Sequence, residues 1–264
     1  AASDVYKRQL IGASISEEEI KMNTTIDPLE KEKFSKMAEE WWDPTGKFKA
    51  LHKFNPKRIE FIRDKLVEHF SIESDLENPF SNLDILDIGC GGGLLSEPMS
   101  RLGANVTGID IVDKNINVAK THSEEQNLEI DYKITTAEEL ALGKKKFDVI
   151  LNMEVIEHVA DLNLFIESCE KLLKKNGLLF FATLNRNILS FGLAIVGAEY
   201  ILGWLPKGTH NWKKFITPEE LKIIFRSSGL NITDIMGMKY NPIYDSWYLS
   251  EDTSVNYLGT AIKS

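Results

Sequence analysis

The stretch Leu86-Asp87-Ile88-Gly89-Cys90-Gly91-Gly92-Gly93 follows the apolar start Leu83-Asp84-Ile85 and precedes a helical pattern near 94–102. It reads as a strand, a tight loop and a helix. Glycines in such a loop let the backbone turn sharply and approach a ligand with no Cβ in the way. In open α/β sheets, ligands bind beyond the carboxyl ends of the strands. The stretch therefore marks both a fold class and the place to expect a site.

The flanking sequence repeats the pattern. LDILDIG, ANVTGID, IDYKIT, FDVILN and LLFFAT read as strands, with helices predicted near 94–102, 113–126 and 161–174. Strands apolar on both faces and separated by helices form a parallel sheet of βαβ units. NITDIMGMKY and NYLGTAIK read as two last strands, a hairpin at the sheet edge. The expectation is an α/β, Rossmann-like fold: a mostly parallel seven-stranded sheet, helices on both faces and an N-terminal helical extension.

The extension is punctuated by prolines. Asp27-Pro28 reads as an N-cap followed by Pro at the first helical position, opening a helix through Phe34, Met37 and Trp41. Asn55-Pro56 repeats the signal, and WWDPTGKFKALHKF between them reads as an aromatic-rich loop. Thr217-Pro218-Glu219-Glu220 carries a capping-box pattern. The expected organisation is a disordered or non-native segment 1–22, a helical cap over 23–80 and a ligand-binding domain over 81–264. Within the domain, a nearly apolar insertion spans about 187–215.

Composition narrows the function. The net charge is −9 and no long basic run exists, which argues against nucleic acid, whose binding leans on Lys and Arg. Cys90 and Cys169 stand outside any CxxC or Cys/His cluster, so a zinc site is not expected and a reducing, cytoplasmic compartment is. The segment 1–19 has no secretory h-region, and no uninterrupted run of about 20 apolar residues marks a spanning helix.

The loop chemistry selects the ligand. Asp110 closes the second strand, where an acid can accept the hydroxyls of a ribose. Glu138, beside Ala137 after the third strand, is placed to border an adenine. A dinucleotide site would share these marks, but its G-x-G-x-x-G fingerprint places glycine where Leu94 stands. Asp87 beside the loop suits a ligand with an ammonium group and repels a pyrophosphate. S-adenosylmethionine has the ammonium and no phosphate. Asp87, Gly89, Gly91, Asp110 and Glu138 are the expected donor contacts, with an NAD-type site as the alternative and a purely structural turn as the minor one.

After the fourth strand, Glu154, Glu157 and His158 stand at i, i+3 and i+4, on one face if a helix starts there. The set could hold a hard divalent cation. His158 alone could be a general base. Equally, the acids could simply favour a helix N-terminus through its dipole.

WWDPTGKFKALHKFNPKR, LDIGCGGGLLSEPMS, GIDIVDKNINVAK, MEVIEHV, TLNRN, VGAEYIL, PKGTHNWKKFI and VNYLGTAIK together resemble the ubiquinone-biosynthesis O-methyltransferase family, from about Thr24 to Lys263. The resemblance implies a class I methyltransferase that methylates ring hydroxyls of polyprenylated catechol-like intermediates in two steps. The alternative is another phenolic acceptor. It implies donor contacts at Arg58, Gly89, Asp110 and Met153, and Mg²⁺ at Glu154, Glu157 and His158. The apolar segment 187–205, followed by Lys207, Lys213 and Lys214, reads as a lid that also touches the inner face of a membrane. Other enzymes of the pathway are possible partners.

Overall fold

The computed structural model describes residues 24–73, 76–187, 190 and 212–263. The expectations for residues 1–22, and for most of the apolar segment 187–205 with Lys207, fall outside these residues. Strands β1 (Asp84–Ile88), β2 (Asn105–Asp110), β3 (Asp131–Ile134), β4 (Phe147–Met153) and β5 (Leu173–Leu184) are joined to β6 (Leu230–Asn241), β7 (Ser246–Ser250) and β8 (Asn256–Lys263) in one sheet. Its order is β3-β2-β1-β4-β5-β8-β6-β7. The first five strands pair in parallel; β8 is antiparallel to β5 and β6, and β7 to β6.

The sheet thus has eight strands where seven were expected. The extra strand, β7, is short, half-exposed and follows directly on the turn that ends at Asp245, so it offers no apolar run to read. The expected edge hairpin is also corrected. β6 and β8 do pair antiparallel, but β8 lies between β5 and β6, and the true hairpin at the edge is β6–β7.

Side chains alternate between two cores, one on each face. Leu86, Ile150 and Phe181 pack with Phe165 and Ile166 of helix α6 (Leu162–Leu172) and Phe225 of α7 (Pro218–Ser227). Their neighbours Ile85, Val149, Leu151 and Phe180 pack with Phe61, Ile62 and Leu66 of α2 (Lys49–Phe70). Both faces are therefore dry, which is why the central strands read as continuous apolar runs. Helices α3 (Ser96–Arg101), α4 (Asp113–Glu125) and α5 (Ala137–Leu140) follow β1, β2 and β3 in turn.

Two helix boundaries in the N-terminal region differ from the sequence reading. Helix α1 (Pro28–Ser35) is capped by Asp27, which accepts from Leu29 N–H, but it stops before Met37 and gives way to a 3₁₀ turn at Ala38–Glu40. Helix α2 starts at Lys49, so Pro56 lies inside it rather than at its first position. Phe48 stacks on Trp41 with centroids 3.8 Å apart, and Ala50 is buried. That packing holds the first turns helical, although Pro56 forfeits the bond to the carbonyl four residues back and crowds it. The capping box of Thr217 and Glu220 forms as read.

Candidate active site

β1 and β4 are adjacent, and the chain leaves them in opposite directions along the sheet, towards β2 and towards β5. This is a topological switch point, where open α/β sheets place ligands. A cavity of about 700 Å³ opens there. Asp87, Gly89, Cys90, Asp110, Ala137 and Met153 line it from the strand ends, while Trp41, Phe48, Leu51, Phe54, Tyr240 and Trp247 face them from the cap and the β6–β7 edge.

Gly89 sits at φ +67°, and a Cβ there would come within 2.7 Å of Val155 Cγ2. The requirement for glycine is thus steric as well as conformational. Asp110 accepts from Val112 N–H at 2.7 Å, from Gly91 N–H at 3.0 Å and from Asn115 Nδ2 at 3.2 Å. The Ile111 N–H also faces this carboxylate, so the protein fixes its orientation at the strand end. Burial raises the Asp110 pKa. Burial, with the Asp110 carboxylate close by, pushes Asp87 up to about 7. Asp87 also accepts from Ser96 Oγ at 2.6 Å, so it braces the loop while bordering the cavity.

Two expected donor contacts, Glu138 and Gly91, are absent from the cavity lining. Glu138 accepts from Thr25 N–H at 2.9 Å and Thr25 Oγ1 at 2.8 Å. Its carboxylate ties down the chain just before α1. Gly91 is covered by Trp41: a Cβ on it would meet Cζ2 at 2.3 Å. Its amide serves Asp110, so it shapes the loop from below.

The acid–histidine set does not form a helical face. Glu154 adopts φ +61° after β4, and only Ile156–His158 form a 3₁₀ turn. Glu154 and Glu157 keep their carboxyl groups close together, while His158 turns away to Glu30. Glu154 pairs with the buried Arg58. Glu157 is buried and accepts from Thr183 Oγ1 at 2.8 Å; burial, with the Glu154 carboxylate beside it, pushes its pKa well above the usual carboxylate range. His158 lines the cavity and shares its Nδ1 with Glu30 Oε2 at 3.0 Å. Among the described residues no group of three such side chains is placed to hold a metal ion. The donor set does not fit Mg²⁺ here: an arginine already neutralises one carboxylate, and the histidine turns to another acid.

Residues 54–235 match a methyltransferase domain family. The chain is 56% identical over 241 residues to the ubiquinone biosynthesis O-methyltransferase of Bartonella tribocorum, covering 91% of this chain and 98% of that one. It is 55% identical over 240 residues to the enzyme of the same name from Pelagibacter ubique, covering 91% and 99%. This chain belongs to the ubiquinone biosynthesis O-methyltransferase family. The fold has solved counterparts. Magnesium protoporphyrin IX methyltransferase from Synechocystis PCC 6803, solved with bound SAH, superposes with a TM-score of 0.58 at 20% identity, over 88% of this chain and 94% of that one.

Within this O-methyltransferase, sequence reasoning missed three residues that shape the site. Glu30 reaches His158 across 128 positions. Asn115 donates to Asp110 and accepts from Trp41 Nε1 at 2.9 Å, which links the cap to the expected ribose acid. Asn55 lines the cavity with a buried Oδ1 that has no protein partner among the described residues. Periodicity marks Trp41 as a core residue, which it is, and nothing local singles out Glu30, Asn115 or Asn55. Burial opposes ionisation of Glu30, yet hydrogen bonds from His158 and Lys33 outweigh it and hold the pKa at about 2. No described helix is long and apolar enough to cross a membrane.

Proposed function

We propose that this enzyme transfers a methyl group from S-adenosylmethionine to ring hydroxyls of polyprenylated catechol-like intermediates, in both O-methylation steps of ubiquinone synthesis. One observation carries the reading. A single cavity joins a glycine loop with a ribose-type acid on one side to an aromatic wall on the other, and His158 stands on its lining. Asp110 would take the ribose and Met153 would border the donor. Arg58, whose buried Nε lacks a protein partner among the described residues, would take the donor carboxylate.

A phenol has a pKa of about 10 and is a weak nucleophile at neutral pH. His158 takes its proton. The oxygen attacks the sulfonium methyl in line, the C–S bond breaks and neutral S-adenosylhomocysteine leaves. Opposite charges vanish in this step, so an enclosed, apolar wall favours it. Holding donor and acceptor in line can lower the barrier by about 7–11 kcal/mol.

The test is transfer of labelled methyl to a short-tailed catechol analogue, with Mg²⁺ and with EDTA. Transfer to oxygen that survives EDTA is the expected result, because no step runs through a metal. Loss in EDTA, restored by Mg²⁺, would return the metal to the acid–histidine turn. Absence of transfer while the donor binds would move the acceptor outside the quinone pathway. Contact of 187–214 with an anionic bilayer belongs to the same reading, supported by the apolar sequence and its trailing lysines. Flotation with anionic liposomes that is unchanged by deleting 188–202 would remove it.

A further inference from the structure

We infer that Glu30, on the first turn of α1, is a positioning residue for the methyl transfer, orienting His158 and stabilising its protonated form. The inference rests on the reading of His158 as the proton acceptor.

Glu30 Oε2 lies 3.0 Å from His158 Nδ1, and both side chains are largely buried, with 15% and 14% exposed. A carboxylate at that distance accepts a hydrogen bond, so the neutral imidazole carries its hydrogen on Nδ1 and its lone pair on the other nitrogen, Nε2. Phe34, one helical turn on from Glu30, meets the imidazole edge-on with centroids 5.1 Å apart and fixes the ring plane. Lys33 Nζ donates to the same oxygen, Glu30 Oε2, at 2.7 Å. One helix thus supplies the acid, its counter-cation and the aromatic wall. Helix α1 is itself pinned. Asp27 pairs with Lys214, Thr25 is held by Glu138, and Ala160 N–H bonds the Thr25 carbonyl at 2.9 Å.

The proton bookkeeping follows. The acceptor O–H bond breaks and its proton moves to Nε2 as the O–CH₃ bond forms and the C–S bond breaks. His158 ends as an imidazolium beside the Glu30 carboxylate, where the pair is neutral, and it returns the proton to solvent after product leaves. A buried carboxylate next to Nδ1 holds the tautomer and stabilises the imidazolium as it forms.

The experiment is a double-mutant cycle with Glu30→Gln and His158→Ala, reading kcat and both KM values. Donor affinity by calorimetry serves as the control for folding. Glu30→Gln keeps the size and removes the charge. It is expected to lower kcat by at least roughly tenfold, with both KM values within about twofold. In the His158→Ala background the same change should cost nothing further, as for residues that act as a unit. An equal loss in both backgrounds would reduce Glu30 to a structural part of α1, and unchanged kcat in Glu30→Gln would overturn the inference outright. Full turnover in His158→Ala is a separate failure: it would remove the base itself.

Discussion

Asp87 and Asp110 stand on the consecutive strands β1 and β2 and share one low-dielectric corner, yet their surroundings differ. Protein donors hold both oxygens of Asp110. Asp110→Ala is expected to weaken S-adenosylhomocysteine by about 10- to 100-fold, the loss of a charge-assisted bond of about 1.5–3 kcal/mol. Calorimetry giving the wild-type affinity would end the ribose assignment. Asp87 is held up to about 7 by burial, against an ordinary value of 3.8. A raised carboxyl pKa means that the folded state holds the proton more tightly than the unfolded one. Its contribution to stability is full below about pH 3.8 and is lost as the pH rises towards about 7. Asp87→Asn keeps the partner for Ser96 and removes the titration. Urea unfolding should therefore show the variant gaining on wild type from pH 5 to pH 8, and a constant difference would disprove the buried, proton-holding Asp87. Both aspartates were legible because a loop, a strand end and their spacing are local. Glu30 was not, since its meaning arises only where α1 crosses the 3₁₀ turn.

Elements were legible where burial on both faces forces long apolar runs, as in β1, β4 and β5. They were not where tertiary packing overrides a local signal. Pro56 marks a helix start by propensity but sits inside α2, because Trp41 and the cavity wall organise the residues before it. β7 escapes because an edge strand needs only one apolar face and one partner. Glu138 follows β3, where an adenine contact is expected, and beside the capping box of α5 at Thr136 and Glu139 its carboxylate meets Thr25. The consequence is specific to the element it tethers. Glu138→Ala should leave donor affinity within about twofold while amide exchange at residues 24–35 accelerates. A large loss of donor affinity with unchanged exchange would restore the adenine role.

At the scale of the whole molecule, the N-terminal region and the sheet make one site. Trp41 lies on Gly91 and Gly92, and its indole N–H runs through Asn115 to Asp110, so the cap's position and the donor acid's geometry are one arrangement. A ligand that fits this corner must stabilise cap and sheet together. At a hundredfold excess over Kd, binding adds about 2.7 kcal/mol to folding. For a chain of this size, each kcal/mol raises the midpoint by about 2–4 °C. S-adenosylhomocysteine is therefore expected to raise the unfolding temperature by about 5–10 °C and to slow amide exchange in residues 38–58 along with the loop at 89–93. NAD at the same concentration should do neither. Its pyrophosphate would meet Asp87, and Leu94 stands where the dinucleotide loop needs a glycine. A shift with NAD and none with S-adenosylhomocysteine would reverse the choice of ligand. Protection of the loop without the cap would show that Trp41 covers the glycines as packing alone.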